Sequence, residues 1–272
     1  MDKYRAVNLR NWESRVPVHA GSRDYDLAGL SADPNRLSRV VAFDQPWLGD
    51  LTGLDVVHLQ CHIGTDTVSL ARLGGCVTGV DFSPGALAVA RELATASGVE
   101  VRFVESELYS APAALGEQFD LVYTGVGALN WLPDIAGWAR VVAAVLRPGG
   151  RLYIRDGHPM LNTLHDGIDD DVLRVTLPYF EGHALRWVNE VTYTDGDPIA
   201  SPEQYEWNHG LGEITTALLD AGMELTGLVE HTSVPYEALP GQMEDVGGGE
   251  WRLRDRPERL PHTYTLQAIK RG

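Results

Sequence analysis

Between residues 55 and 160 the hydrophobic positions change period repeatedly, from short apolar runs to runs spaced at three and four. DVVHLQ (55–60) is a strand-like run, and TDTVSLARLG (65–74) carries Val68, Leu70, Ala71 and Leu73 near helical spacing before the Gly74–Gly75 pair stops it. CVTGVD (76–81) predicts the next strand. SPGALAVARELATAS (83–97) predicts a helix capped by Ser83, with Pro84 in the first turn, where the missing amide donor costs nothing. VRFVE, FDLVYT and RLYIRD predict three further strands, the last preceded by a helix over IAGWARVVAAVLRPGG that the glycine pair ends. Strands alternating with helices predict a parallel sheet covered on both faces.

The flanks read differently. Residues 1–50 carry Tyr4, Trp12 and Tyr25 and predict a helical N-terminal cap; residues 51–160 form the core; residues 161–206 interrupt the pattern as an insertion and lid; residues 207–272 return to the core sheet. In the insertion, VLRVTLPYF (172–180) and ALRWVNEVTYTD (184–195), joined by EGH, resemble a β-hairpin. LGEITTALLDAG predicts a helix, and MELTGLVEH and HTYTLQAIK, with no helix between them, predict an antiparallel pair at the sheet edge. The DDD tract at 169 and the GGG tract at 247 read as solvated loops.

Composition narrows the chemistry. The formal charge of -16, with the 22 Lys and Arg scattered, disfavours a nucleic-acid partner, which needs a cationic surface. No run reaches membrane-span length and the first residues lack a secretory apolar stretch, so the expectation is a soluble, cytoplasmic protein with no membrane partner. Two cysteines, Cys61 and Cys76, make neither a disulfide scaffold nor a CxxC metal site. His58 and His62 straddle a strand end and its loop, so the reading is no metal, with His58 a satisfied buried histidine.

In open α/β sheets ligands bind outside the carboxyl ends of the strands. The first strand's loop here is QCHIGT, with Gly64 alone, where a pyrophosphate would want several glycines. Asp81, ending the second strand, is placed to accept from both hydroxyls of a ribose; taken alone it reads as a helix cap or surface acid. Phe82 beside it can cover the nucleoside, Glu107 can accept from an adenine amino group, and the Leu108 amide can donate to the ring. Three strand ends thus describe an adenosine without a phosphate. Asp66 suits a helix N-terminus as well as it suits a ligand.

VVHLQCHIGTDT, VTGVDFS, VRFVESELY, FDLVYTGVGALNWLPD and LRPGGRLYIRDGHP together resemble the motifs of class I S-adenosylmethionine-dependent methyltransferases, specifically their bacterial small-molecule branch, strongly over about residues 55–160. Weaker likenesses, NWESRVPVH and YEWNHGLGEI, extend it over most of the chain. The resemblance implies an α/β, Rossmann-like, seven-stranded and mostly parallel sheet with an antiparallel last strand. It implies S-adenosylmethionine as cofactor and S-adenosylhomocysteine as product, with Asp81 at the ribose, Glu107 at the adenine and Thr124 near the methionine amine. The family's GxGxG is Gln60, His62, Gly64 here, with Cys61 between, so the backbone contacts at Gln60 and His62 depart from the pattern.

That reading predicts methyl transfer to an O or N atom of a small-molecule acceptor, with secondary metabolism or antibiotic biosynthesis as the expected setting. The alternatives are a nicotinamide-dependent oxidoreductase, which lacks its glycines here, and a non-catalytic binding module of the same fold. Histidines after strand ends are the candidate bases: His158 after YIRD and His209 in YEWNHG. Tyr4, Trp12, Tyr25, Tyr179, Trp187 and Trp207, with Leu129, Asn130 and Trp131 beside the methyl group, are the candidate acceptor pocket, although each aromatic also reads as core packing. The sequence leaves the acceptor and the assembly state open, a homo-oligomer included.

Overall fold

A computed structural model describes residues 3–164, 172–180 and 182–272. Its centre is a seven-stranded sheet in the order β3-β2-β1-β4-β5-β11-β8. β1 (Asp55–Leu59), β2 (Cys76–Asp81), β3 (Arg102–Glu105), β4 (Phe119–Thr124) and β5 (Leu146–Gly157) run parallel. β11 (Thr263–Lys270) lies antiparallel between β5 and β8 (Met223–His231), which forms the edge. The parallel core, the covered faces and the antiparallel terminal pair are those expected.

Ahead of β1 come α1 (Lys3–Gly21), α2 (Leu27–Ala32) and α3 (Arg39–Leu48). α4 (Thr65–Arg72), α5 (Pro84–Ala96), α6 (Ala111–Leu115), α7 (Ile135–Val145) and α8 (Leu211–Asp220) connect the strands. Ser83 caps α5 by accepting the Ala86 amide at 2.9 Å, with Pro84 in the first turn. Asp134 does the same for α7 through Gly137, at 2.7 Å. The main core fills the space between α7, α8 and the sheet, with Trp138, Val142, Leu152 and Leu266 fully buried.

Two local expectations are corrected. α7 stops at Val145, before the glycine pair, and Leu146 already begins β5. Pro148 disfavours helical geometry at Arg147, and the shifted register between β4 and β5 absorbs the residues between. The lid hairpin has a different partner: β6 (Leu185–Val188) pairs with β7 (Glu203–Glu206), not with residues 172–180, where Val175 makes a single bridge to Leu164. Pro178 removes a ladder donor from that segment. Glu181 of the expected joint and the DDD tract at 169–171 lie outside the described residues. The GGG tract joins β9 (Met243–Asp245) to β10 (Trp251–Leu253) as a turn with positive φ at all three glycines.

Candidate functional site

The loop after β1 keeps a glycine-type backbone without the glycines. Gln60, His62 and Gly64 have φ of 57°, 48° and 82°, alternating residues in the left-handed region. Left-handed geometry costs a side-chain-bearing residue about 1–3 kcal/mol. Gly64 has no alternative: a Cβ there would stand 2.7 Å from the Ala90 Cβ. It therefore sets the turn against α5 and does not line the cleft. At the other two positions side-chain bonds offset the strain: Gln60 Nε2 donates to the Ala128 carbonyl at 3.1 Å, and His62 Nε2 lies 2.8 Å from His19 Nδ1.

In this turn the His62 backbone N–H donates to Asp81 Oδ2 at 2.8 Å, while the Ser83 amide donates to Oδ1 at 2.9 Å. The carboxylate is thus fixed at the mouth of β2, lining a narrow cleft, with burial pushing its pKa up to about 6. Each oxygen retains a lone pair for a ligand hydroxyl. Cys61, His62, Asp66, Phe82, Glu107 and Leu108 line the same cleft. Glu107 has further duties: Oε2 accepts the Tyr109 amide at 3.2 Å, Oε1 accepts the Ser110 hydroxyl at 2.7 Å, and Arg5 stands 3.4 Å away.

In the same cleft Gln60 Oε1 is buried and finds no partner among the described residues. A buried acceptor left unmatched costs about 1–3 kcal/mol until a donor arrives, and an ammonium is such a donor. Thr124 is fully buried and does not line the cleft; Gly125 and Val126, just past the strand, do.

The cleft meets a cavity of about 1060 Å³ at a neck walled by Trp12, Tyr25, Asp66, Trp131, Tyr193 and Trp207. Leu129, Asn130 and Trp187 line the larger cavity. Tyr4 lines the narrow cleft instead, edge-on to Tyr205 and Trp207. Tyr179 lines neither: it packs on Gly210 and its hydroxyl accepts the Leu211 amide at 3.3 Å.

Around the neck lies a buried polar network that the sequence did not announce. His19 Nε2 is 2.8 Å from Thr192 Oγ1; Arg15 donates to Asn11, Thr192 and Gln204; the Tyr25 and Tyr193 hydroxyls are 2.6 Å apart. Burial lowers the His19 pKa to about 3, with the Arg15 charge adding to the effect, and holds His62 well below the ordinary histidine range. Both rings are therefore neutral at pH 7. His58, also lowered to about 3 by burial, is bonded to Thr67 Oγ1 at 2.9 Å.

The two candidate bases are corrected by their partners. His158 lines neither cavity; its Nδ1 accepts the Met160 amide at 3.0 Å and its Nε2 lies 2.9 Å from Glu230 Oε1. His209 lines the large cavity, but Nε2 is bonded to the Leu132 carbonyl at 2.7 Å and Nδ1 to Glu213 at 2.8 Å, so neither nitrogen is open to an acceptor proton. Among the described residues no group of three His, Cys, Asp or Glu is placed to hold a metal, and no helix is long and apolar enough to cross a membrane.

Residues 56–150 match the family model described as a methyltransferase domain. The chain is 31% identical over 157 residues to a ubiquinone biosynthesis O-methyltransferase of Xanthomonas axonopodis pv. citri, covering 57% of this chain and 59% of that protein. It is 32% identical over 146 residues to a demethylmenaquinone methyltransferase of Lactococcus lactis, covering 48% and 57%. In each case the match spans less than two thirds of the relative. A crystal structure of an S-adenosylmethionine-dependent methyltransferase from Mesorhizobium loti superposes with a TM-score of 0.53 at 19% identity, over 84% of this chain and 96% of that one. Residues 56–150 thus match a methyltransferase domain, and the chain has the fold of the Mesorhizobium loti S-adenosylmethionine-dependent methyltransferase.

Proposed function

We propose that the chain transfers a methyl group from S-adenosylmethionine to an O or N atom of a small-molecule acceptor. One observation carries the reading: the Asp81 carboxylate is held by two backbone N–H groups at the end of β2, facing a cleft that also offers the buried Gln60 Oε1, unmatched among the described residues, and that meets a large cavity. Asp81 would hold the ribose diol, Phe82 and Leu108 the nucleoside face, and Gln60 the amino-acid ammonium. The bound cofactor supplies an electrophilic methyl on a sulfonium. The protein's own part is alignment and exclusion of water, which removes about 7–11 kcal/mol from such displacements. Trp12, Trp131 and Trp207 wall the neck where donor and acceptor meet. The relatives' names, an O-methyltransferase of ubiquinone biosynthesis and a demethylmenaquinone methyltransferase, support a small-molecule acceptor. The excess of acidic residues supports the absence of a nucleic-acid partner, and we place the protein in the cytoplasm.

Calorimetry with S-adenosylhomocysteine and with NAD tests the reading. The thioether is expected to bind and NAD to give no heat. Asp81→Ala is expected to weaken the thioether by roughly 10- to 100-fold, the worth of one charge-assisted hydrogen bond. Unchanged affinity in that variant would refute the assignment.

A further inference from the structure

The guanidinium of Arg15 is buried beside the neck with no carboxylate bonded to it among the described residues. The residue is 4% exposed and lines the large cavity. Its hydrogen bonds go to neutral oxygens: Nε to Asn11 Oδ1 at 2.7 Å, Nη1 to Thr192 Oγ1 at 3.1 Å, and Nη2 to Gln204 Oε1. Among the described residues none of its hydrogen bonds or ion pairs is to a carboxylate, although Glu206, whose Oε1 accepts from Gln204 Nε2 at 2.5 Å, acts on it electrostatically. Each Nη carries two hydrogens and, among the described residues, uses one. Trp12 and Trp131, with ring centres 5.0 and 5.3 Å from Cζ, fix the group among aromatic faces.

A guanidinium removed from water without a counter-ion costs several kcal/mol, and an anion entering the cavity recovers much of it. The nearby histidines supply no competing base: His19 and His62 are bonded to each other, and His209 is bonded at both nitrogens. Asp66 also lines the neck, but its Oδ2 sits against Gly125, on the cleft side.

We infer that the acceptor reaches the neck already ionised, as a planar aromatic or conjugated oxyanion (a phenolate, enolate or carboxylate), and that Arg15 binds its negative charge. This rests on the methyl-transfer reading for the reaction, though not for the binding. The oxyanion's lone pair forms the new O–CH₃ bond, the S–CH₃ bond breaks with its electron pair remaining on sulfur, and no proton is transferred. The product is a neutral ether or ester, so the attraction to Arg15 ends with the reaction and favours release.

The test uses 2-naphthoate, its neutral isostere 2-naphthamide and the cationic 2-naphthylmethylamine, titrated into the full chain with and without S-adenosylhomocysteine, followed by tryptophan fluorescence and calorimetry. Naphthoate is expected to bind at least about tenfold more tightly than naphthamide, the worth of one charge-assisted hydrogen bond. Arg15→Met is expected to bring that ratio close to one, and Arg15→Lys to keep part of it. Equal binding of acid and amide by the unaltered protein, tighter binding of the amine, or an unchanged ratio in a folded Arg15→Met would overturn the inference. Because the unloaded protein is measured too, an anion preference with no heat from S-adenosylhomocysteine would sink the methyl-transfer reading alone.

Discussion

At the scale of single residues, Asp81 and His62 are one device. The His62 N–H holds Asp81 from within a left-handed turn, and the imidazole of His62 is secured by His19. Restoring glycine at this position therefore has two opposed effects. His62→Gly relieves about 1 kcal/mol or more of backbone strain but leaves His19 Nδ1 buried without its partner, a cost of about 1–3 kcal/mol. The net expectation is a small loss of stability in urea, and a gain would contradict it. Gly64→Ala has no such compensation, since the new Cβ meets Ala90 as well as a φ of 82°, and should cost several times more. Asp81 also sets a pH dependence. Its pKa in the protein is pushed up to about 6, so it is ionised at pH 7.5 and largely protonated at pH 5. Affinity for S-adenosylhomocysteine should fall as pH drops through about 6, measured by calorimetry across that range, and Asp81→Asn should flatten the fall.

Asp81 was legible in the sequence through its place at the end of a strand within the set of motifs, since taken alone it read as a helix cap or surface acid. The turn itself was less so, since Gln60 and His62 disguise a backbone normally advertised by glycine. Arg15 left no local signal at all: its partner Gln204 is 189 residues away.

At the scale of elements, α1 supplies the helix expected at the N-terminus but shows no apolar stripe that would have given its bounds. Its buried face is mainly polar: Asn8, Asn11, Arg15 and His19 recur at helical spacing, all under 5% exposed. A pattern search for apolar stripes cannot find such a helix. Asn8 pairs both donor and acceptor with the backbone of Tyr205 at 2.8 Å, and Asn11 donates to the Ser201 carbonyl, so the lid hairpin hangs on α1. On another side of the helix, Glu13 accepts the Gly85 amide at 3.1 Å and the Ser83 hydroxyl at the start of α5. A carboxylate at a helix N-terminus contributes about 0.3–1 kcal/mol. Glu13→Ala should lower stability by about 1 kcal/mol in chemical denaturation and weaken S-adenosylhomocysteine binding, because α5 follows directly on Asp81. No change in either would show α1 to be docked by other contacts. The hairpin itself was misread for a related reason: β7 is matched to β6 by way of α1, and nothing adjacent in sequence marks it.

Across the whole molecule, the parallel core followed from the alternation of periods, because buried parallel strands must be apolar whatever they bind, and the antiparallel terminal pair from the missing helix between its strands. Less visible is the far face, where α3 sends Asp44 under the sheet. Its Oδ2 accepts the Tyr123 hydroxyl at 2.7 Å, the residue is fully buried, and burial raises its pKa to about 7. The folded protein therefore keeps a proton that the unfolded chain has lost between about pH 4 and 7. Asp44's own contribution to stability should decline as pH rises through that window and level off above it, opposed by the rise that His19, His58 and His62 contribute through their lowered pKa values. Asp81, shifted the same way, adds to the decline below pH 6. Asp44→Asn removes the larger share, so the difference in Tm between variant and parent should grow from pH 5 to pH 7.5; a constant difference would mean that Asp44 is not the titrating group.

One helix of 19 residues anchors the β6–β7 hairpin, braces the helix that follows Asp81 and presents Arg15 to the large cavity. Residues 3–21 are therefore a cassette: grafted onto another core of this fold together with the hairpin they hold, they would carry substrate preference with them while leaving the donor unchanged.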